Sequence, residues 1–149
     1  MYHARCIADR PPGTETETMV RWILAALHLL ALGIGLGAVW TRARALRGAS
    51  DHAVLRRAFA ADGLWGLAAL LWISTGLIRA FGGFEKGTAY YLHSNAFLVK
   101  MALLALILGL EVWPMVTLIR WRRAASHNEV LDLHAAPALA RISLVQAFL

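Results

Sequence analysis

The chain contains one cysteine, Cys6, in 149 residues. An intrachain disulfide is therefore excluded, as is a metal site built on several thiolates. Charge is also scarce. Asp, Glu, Lys and Arg make up 16% of the residues, against about 25% in soluble domains. This shortage excludes a disordered tail as the whole chain, and it excludes an ordinary water-soluble enzyme. Strand-period alternation and internal repeats are missing. So are a phosphate-binding loop, a dinucleotide fingerprint and a nucleophile elbow.

Apolar residues are abundant: they reach 59%, and the mean hydropathy is +0.57. The length allows one domain, and the composition makes lipid its main solvent. The net charge of +6 invites a nucleic-acid reading. The placement of the cations argues against it. Arg42, Arg44, Arg47, Arg56 and Arg57 follow the first apolar run, and Arg120, Arg122 and Arg123 follow the third. Basic loops beside long apolar runs are the positive-inside pattern. Loops 41–62 and 120–137 are expected in the cytoplasm and the N-terminus outside, with the lipid bilayer as partner and no nucleic acid.

Residues 1–18 read as a disordered extension, with Pro11, Pro12, Gly13 and a Thr-Glu-Thr-Glu-Thr run. Met19, directly before the apolar run, reads as the natural start. A single transmembrane domain is expected over 19–149. Its spans cover about 20–40, 63–81 and 97–119, and the 21 residues of the first reach ~31 Å, enough to cross a bilayer core. The apolar segment 138–149 reaches only ~18 Å. It reads as an incomplete fourth span, with an interfacial helix as the alternative. The expected fold class is all-α, an integral membrane four-helix bundle with three complete spans and a truncated fourth.

Ionisable residues inside such spans are costly and mark functional candidates. Depth and helical azimuth group them in two sets. His28, Arg79, His93 and Lys100 fall in the outer half, provided the third helix begins as early as His93. This cationic set suits an anionic ligand, whether a carboxylate, a lipid phosphate or the propionates of haem b, and His28 is by itself a candidate haem or metal ligand. The competing reading of His28 is an interhelical hydrogen bond. Glu111 belongs to the inner half, with Arg42 and Asp62 as candidate partners and Pro114 beside it as a kink. Gly33 and Gly37 form a small-residue face suited to another helix, and a homodimer through it is expected. Met19, Met101 and Met115 do not converge with the histidines, which disfavours a copper route.

In chain order come Asp62-Gly63-Leu64-Trp65-Gly66, Gly76-Leu77-Ile78-Arg79-Ala80-Phe81, Phe84-Glu85-Lys86-Gly87 with Tyr90-Tyr91, Phe97-Leu98-Val99-Lys100, Pro114 and Arg120-Trp121-Arg122-Arg123. Together they resemble a bacterial family of small predicted membrane proteins, domain of unknown function 2214, from about Val20 onward. The resemblance implies four helices in the bacterial inner membrane, with a small residue where this chain has Glu111. A more distant similarity links His28, Gly37, Arg42 and Lys100 to copper-resistance-D-like membrane proteins and the J-type protoporphyrinogen oxidase. Leu98 stands where the oxidase pattern has a histidine. The resulting expectation is haem b or membrane redox chemistry through the outer cluster. The alternatives are a non-catalytic structural or docking protein and a subunit of a small-ion or metal carrier.

Overall fold

The computed structural model describes residues 15–48, 52–82, 93–127, 129 and 131–149. Cys6 and the motif residues of 84–91 lie outside this set. The described residues form four helices and no strand: α1 (Glu15–Arg47), α2 (His52–Phe81), α3 (Asn95–Ser126) and α4 (Ala136–Phe148). The first three have 33, 30 and 32 residues. At about 1.5 Å per residue they reach roughly 45–50 Å, well beyond the ~30 Å hydrocarbon core of a bilayer. They are long and apolar enough to cross a membrane. Their outer surfaces carry exposed Leu, Ile, Val, Trp and Met side chains. That inversion of a water-soluble surface fits a lipid solvent.

The helices extend past the apolar runs that mark them in the sequence. Arg42, Arg44 and Arg47 belong to α1, and Arg56 and Arg57 to α2. They are therefore not loop residues. The intervening residues are mostly Ala, Leu and Arg, which are strong helix formers, and no glycine or proline interrupts them before Gly48. Arg120, Arg122 and Arg123 likewise lie inside α3. The α1 helix begins at Glu15, within the segment expected to be disordered. Glu15 and Glu17 occupy its first turn, where negative charge complements the helix dipole.

The α3 helix begins only at Asn95. Ser94 is extended, and its carbonyl accepts from the N–H groups of Phe97 and Leu98. His93 therefore lies before the helix rather than on its face. Pro114 is buried within α3, which runs through it. In α4 a proline stands in the first turn, where its missing N–H has no partner to lose.

Consecutive helices run antiparallel. His28 meets Thr75, Gly35 meets Ala68 and Arg42 meets Asp62, so numbers rise along α1 as they fall along α2. Phe81 meets the edge of Phe97 at 6.3 Å between ring centroids, and Arg122 donates to the Phe59 carbonyl at 2.9 Å. Hence α3 returns along α2. The closest neighbours are α1 with α2 and α1 with α4, while α3 meets α2 and α4 more loosely. The helices thus form a ring in chain order, with α1 and α3 on one diagonal.

One end of the bundle is sealed by an apolar cluster. Leu46, Leu55, Ala58, Leu118, Trp121, Ala136, Leu139 and Ala140 pack there, from all four helices. This is the end rich in arginine. The polar centre lies one layer further in.

Candidate functional site

Arg42 reaches the bundle axis from α1 and is fully buried, at 0% exposure. A guanidinium has five N–H donors, and each finds an acceptor. Nε donates to the Ser143 hydroxyl at 3.0 Å. Nη1 donates to Asp62 Oδ1 at 2.8 Å and to Glu111 Oε1. Nη2 donates to Glu111 Oε2 at 2.7 Å and to Gln146 Oε1 at 2.9 Å. The acceptors come from α2, α3 and α4. One side chain therefore ties its own helix to the other three.

The partners are also tied to each other. Gln146 Nε2 donates to Glu111 Oε2 at 2.8 Å and to the Ile107 carbonyl at 3.2 Å. Trp65 of α2 places its ring 5.8 Å from the guanidinium carbon, a cation–π distance. Asp62 is held less completely. Its Oδ1 accepts from Arg42, while its Oδ2 lies 4.0 Å from the half-exposed Arg122. Buried charge is tolerable in such a place only when it is paired and hydrogen-bonded. The Arg42 inventory meets that requirement.

The inner-half set read from the sequence, Arg42, Asp62 and Glu111, is thus brought together. Ser143 and Gln146 were not singled out. The available signal was their position as polar residues three apart in an otherwise apolar segment, which puts them on one helical face. Arg141, the other polar residue there, faces outward. Their burial shows that α4 packs into the bundle instead of lying on its surface.

The outer-half set is arranged differently. His28 is half-buried, and its Nδ1 lies 3.0 Å from the Trp72 carbonyl and 3.1 Å from Thr75 Oγ1. A carbonyl only accepts, so Nδ1 carries the hydrogen and Nε2 the lone pair. The ring stacks on Trp72 with centroids 5.6 Å apart. A Cβ added at Gly76 would sit 3.2 Å from His28 Cε1, so the glycine admits the ring. These contacts are the interhelical hydrogen bond expected as one reading of His28. The Trp72 indole N–H is buried with no partner among the described residues.

Arg79 and Lys100 are near enough for their charges to act on the imidazole. Lys100 and His93 are both exposed. Among the described residues, no three His, Cys, Asp or Glu side chains gather as a metal-binding group. Gly33 and Gly37 face away from the bundle, and a Cβ at either would meet nothing within 4 Å among the described residues.

Apolar spanning helices joined at a buried ionic centre define a helical integral membrane protein. The chain belongs to the family described as predicted membrane protein, DUF2214, which it matches over residues 20–149. No curated protein and no solved structure matches it.

Proposed function

We propose that this protein is a non-catalytic module of the bacterial inner membrane, held in one helix arrangement by Arg42 and docking a second copy of itself. The supporting observation is the donor inventory of Arg42. All five donors are used within the bundle, leaving none for a substrate. The arginines gathered at one end favour an orientation with that end in the cytoplasm and the N-terminus outside. The outward face at Gly33 and Gly37 suits close approach of another helix.

The test is the mass of the full-length protein, extracted from native membranes in mild detergent and measured by light scattering. A dimer is expected, and Gly33→Leu should convert it to a folded monomer. A wild-type monomer would remove the docking part of this reading.

A second reading is favoured by His28. A hydrogen bond from one ring nitrogen to a carbonyl fixes the tautomer and leaves the other nitrogen free to bind iron, as in many ligating histidines. His28 would then hold haem b through Nε2, with Arg79 and Lys100 as cationic partners for propionates and Trp72 as a further donor. Haem would supply one-electron chemistry. A reduced-minus-oxidised absorption spectrum of the purified chain checks this reading. Haem bands lost in His28→Ala support it, and a spectrum without such bands ends it.

A further inference from the structure

The Arg42 centre holds two carboxylates against one buried guanidinium, and both reach the same nitrogen, Nη1. Arg42 and Glu111 cancel, so the half-buried Asp62 leaves these three side chains one unit negative. The two acids are not equivalent. Glu111 is 4% exposed, and its two oxygens take three hydrogen bonds, from Arg42 Nη1, Arg42 Nη2 and Gln146 Nε2. This bidentate pair with Arg42 is neutral and complete. Among the described residues Asp62 takes a single hydrogen bond, from Arg42, and its side chain is 13% exposed. It is the surplus charge, and it is the acid that retains contact with the outside.

We propose that Asp62 is a proton-binding site, which exchanges one proton with water at the arginine-rich end of the bundle. Hydronium gives its proton to Oδ2; an O–H bond forms there and a water molecule leaves. The carboxyl becomes neutral, and its bond from Arg42 changes from charge-assisted on both sides to charge-assisted on one. The tie between α1 and α2 weakens while the Arg42–Glu111–Gln146 unit keeps its partners.

Among the described residues, the charges that act on Asp62 are Arg42 from α1 and Glu111 and Arg122 from α3. No charged residue of α2 lies within one turn of it. From α4 the centre receives Ser143 and Gln146, which carry no charge. Arg122 compensates only weakly, since it stands 4.0 Å away with its side chain 51% exposed. A metal cation in place of the proton would want more oxygen ligands, and no third acid joins the pair among the described residues. This inference goes beyond the docking role and does not depend on dimer formation.

Infrared difference spectra of the full-length protein in nanodiscs, taken between about pH 5.5 and pH 9, above the range in which exposed carboxylates bind protons, provide the test. A carbonyl band of a protonated carboxylic acid should appear on the acid side in the wild type. It should shift when aspartate side chains carry 13C and stay fixed when glutamate side chains do. Asp62→Asn should abolish it with helical circular dichroism unchanged. Should Asp62→Asn fail to fold, Asp62→Glu must move the band and make it respond to the glutamate label. A band that follows glutamate in the wild type, a band that survives Asp62→Asn, or no band at all would overturn the proposal. So would a carboxylate that stays ionised throughout and responds to sodium.

Discussion

Arg42 and Glu111 join across the diagonal of the bundle, Nη2 to Oε2 at 2.7 Å, although no Cα of α1 comes within 8 Å of α3. Side chains alone bridge that gap at this level. Removing one partner leaves the other charge buried. Arg42→Met should therefore destabilise the folded protein by about 3–5 kcal/mol. The double variant Arg42→Met, Glu111→Leu should recover much of this loss, because the remaining Asp62 has access to water. Reversible unfolding in mixed micelles, followed by tryptophan fluorescence, measures both. Equal losses in the single and double variants would contradict a paired charge at the diagonal.

Gln146 is the joint between α4 and this pair. Its amide accepts from Arg42 and donates to Glu111 and to the Ile107 carbonyl. Gln146→Leu has similar volume and leaves a donor and two acceptors short of a partner. The expected cost is about 1–3 kcal/mol. Arg141→Ala, on the exposed side of the same helix, should stay within about 0.5 kcal/mol. The same unfolding assay separates them, and limited proteolysis should show α4 loosening in the first variant alone.

Glycines on two faces should respond in opposite ways. Gly76 lies against His28, where an added Cβ would come to 3.2 Å of the ring. Gly76→Val should push the imidazole off the Trp72 carbonyl and cost about 1–3 kcal/mol. Gly37 has nothing among the described residues within 4 Å of such a Cβ. Gly37→Val should leave the stability of the monomer nearly unchanged and lower the dimer fraction. Thermal unfolding and light scattering on the two variants read these effects independently.

Much of this arrangement is legible in the sequence, and the missing parts have identifiable causes. Apolar runs locate the stretch of each helix that meets hydrocarbon. They do not locate helix ends, because Arg44, Arg47, Arg56 and Arg57 continue a helix as well as they flank one. Span depth puts Arg42, Asp62 and Glu111 at one level, and opposite charges at one level in lipid must meet. Depth alone does not fix the register of α1 on α2, so it shows neither the His28 bond to the Trp72 carbonyl nor the fit of Gly76 beneath the ring. Ser143 and Gln146 carry no charge and raise no alarm in a hydropathy profile. Only the five donors of Arg42 make them necessary.

The inequality of the two acids yields the last prediction. Glu111→Gln replaces two charged acceptors with an amide. Its N–H2 would then point at Arg42 or at the Gln146 amide, donor against donor. The bidentate pair is lost, and the expected cost is about 3 kcal/mol. Asp62→Asn differs in kind. Its Oδ1 still accepts from Arg42, and its new N–H2 occupies the Oδ2 position, from which the half-exposed Arg122 side chain can withdraw. The substitution also removes the surplus negative charge of the centre. Its cost should stay within about 1 kcal/mol at neutral pH, and it should flatten the pH dependence of stability. Parallel unfolding curves of the two variants at neutral and acid pH decide the matter. Equal destabilisation of both would mean that the two carboxylates share the guanidinium evenly and that Asp62 holds no surplus charge.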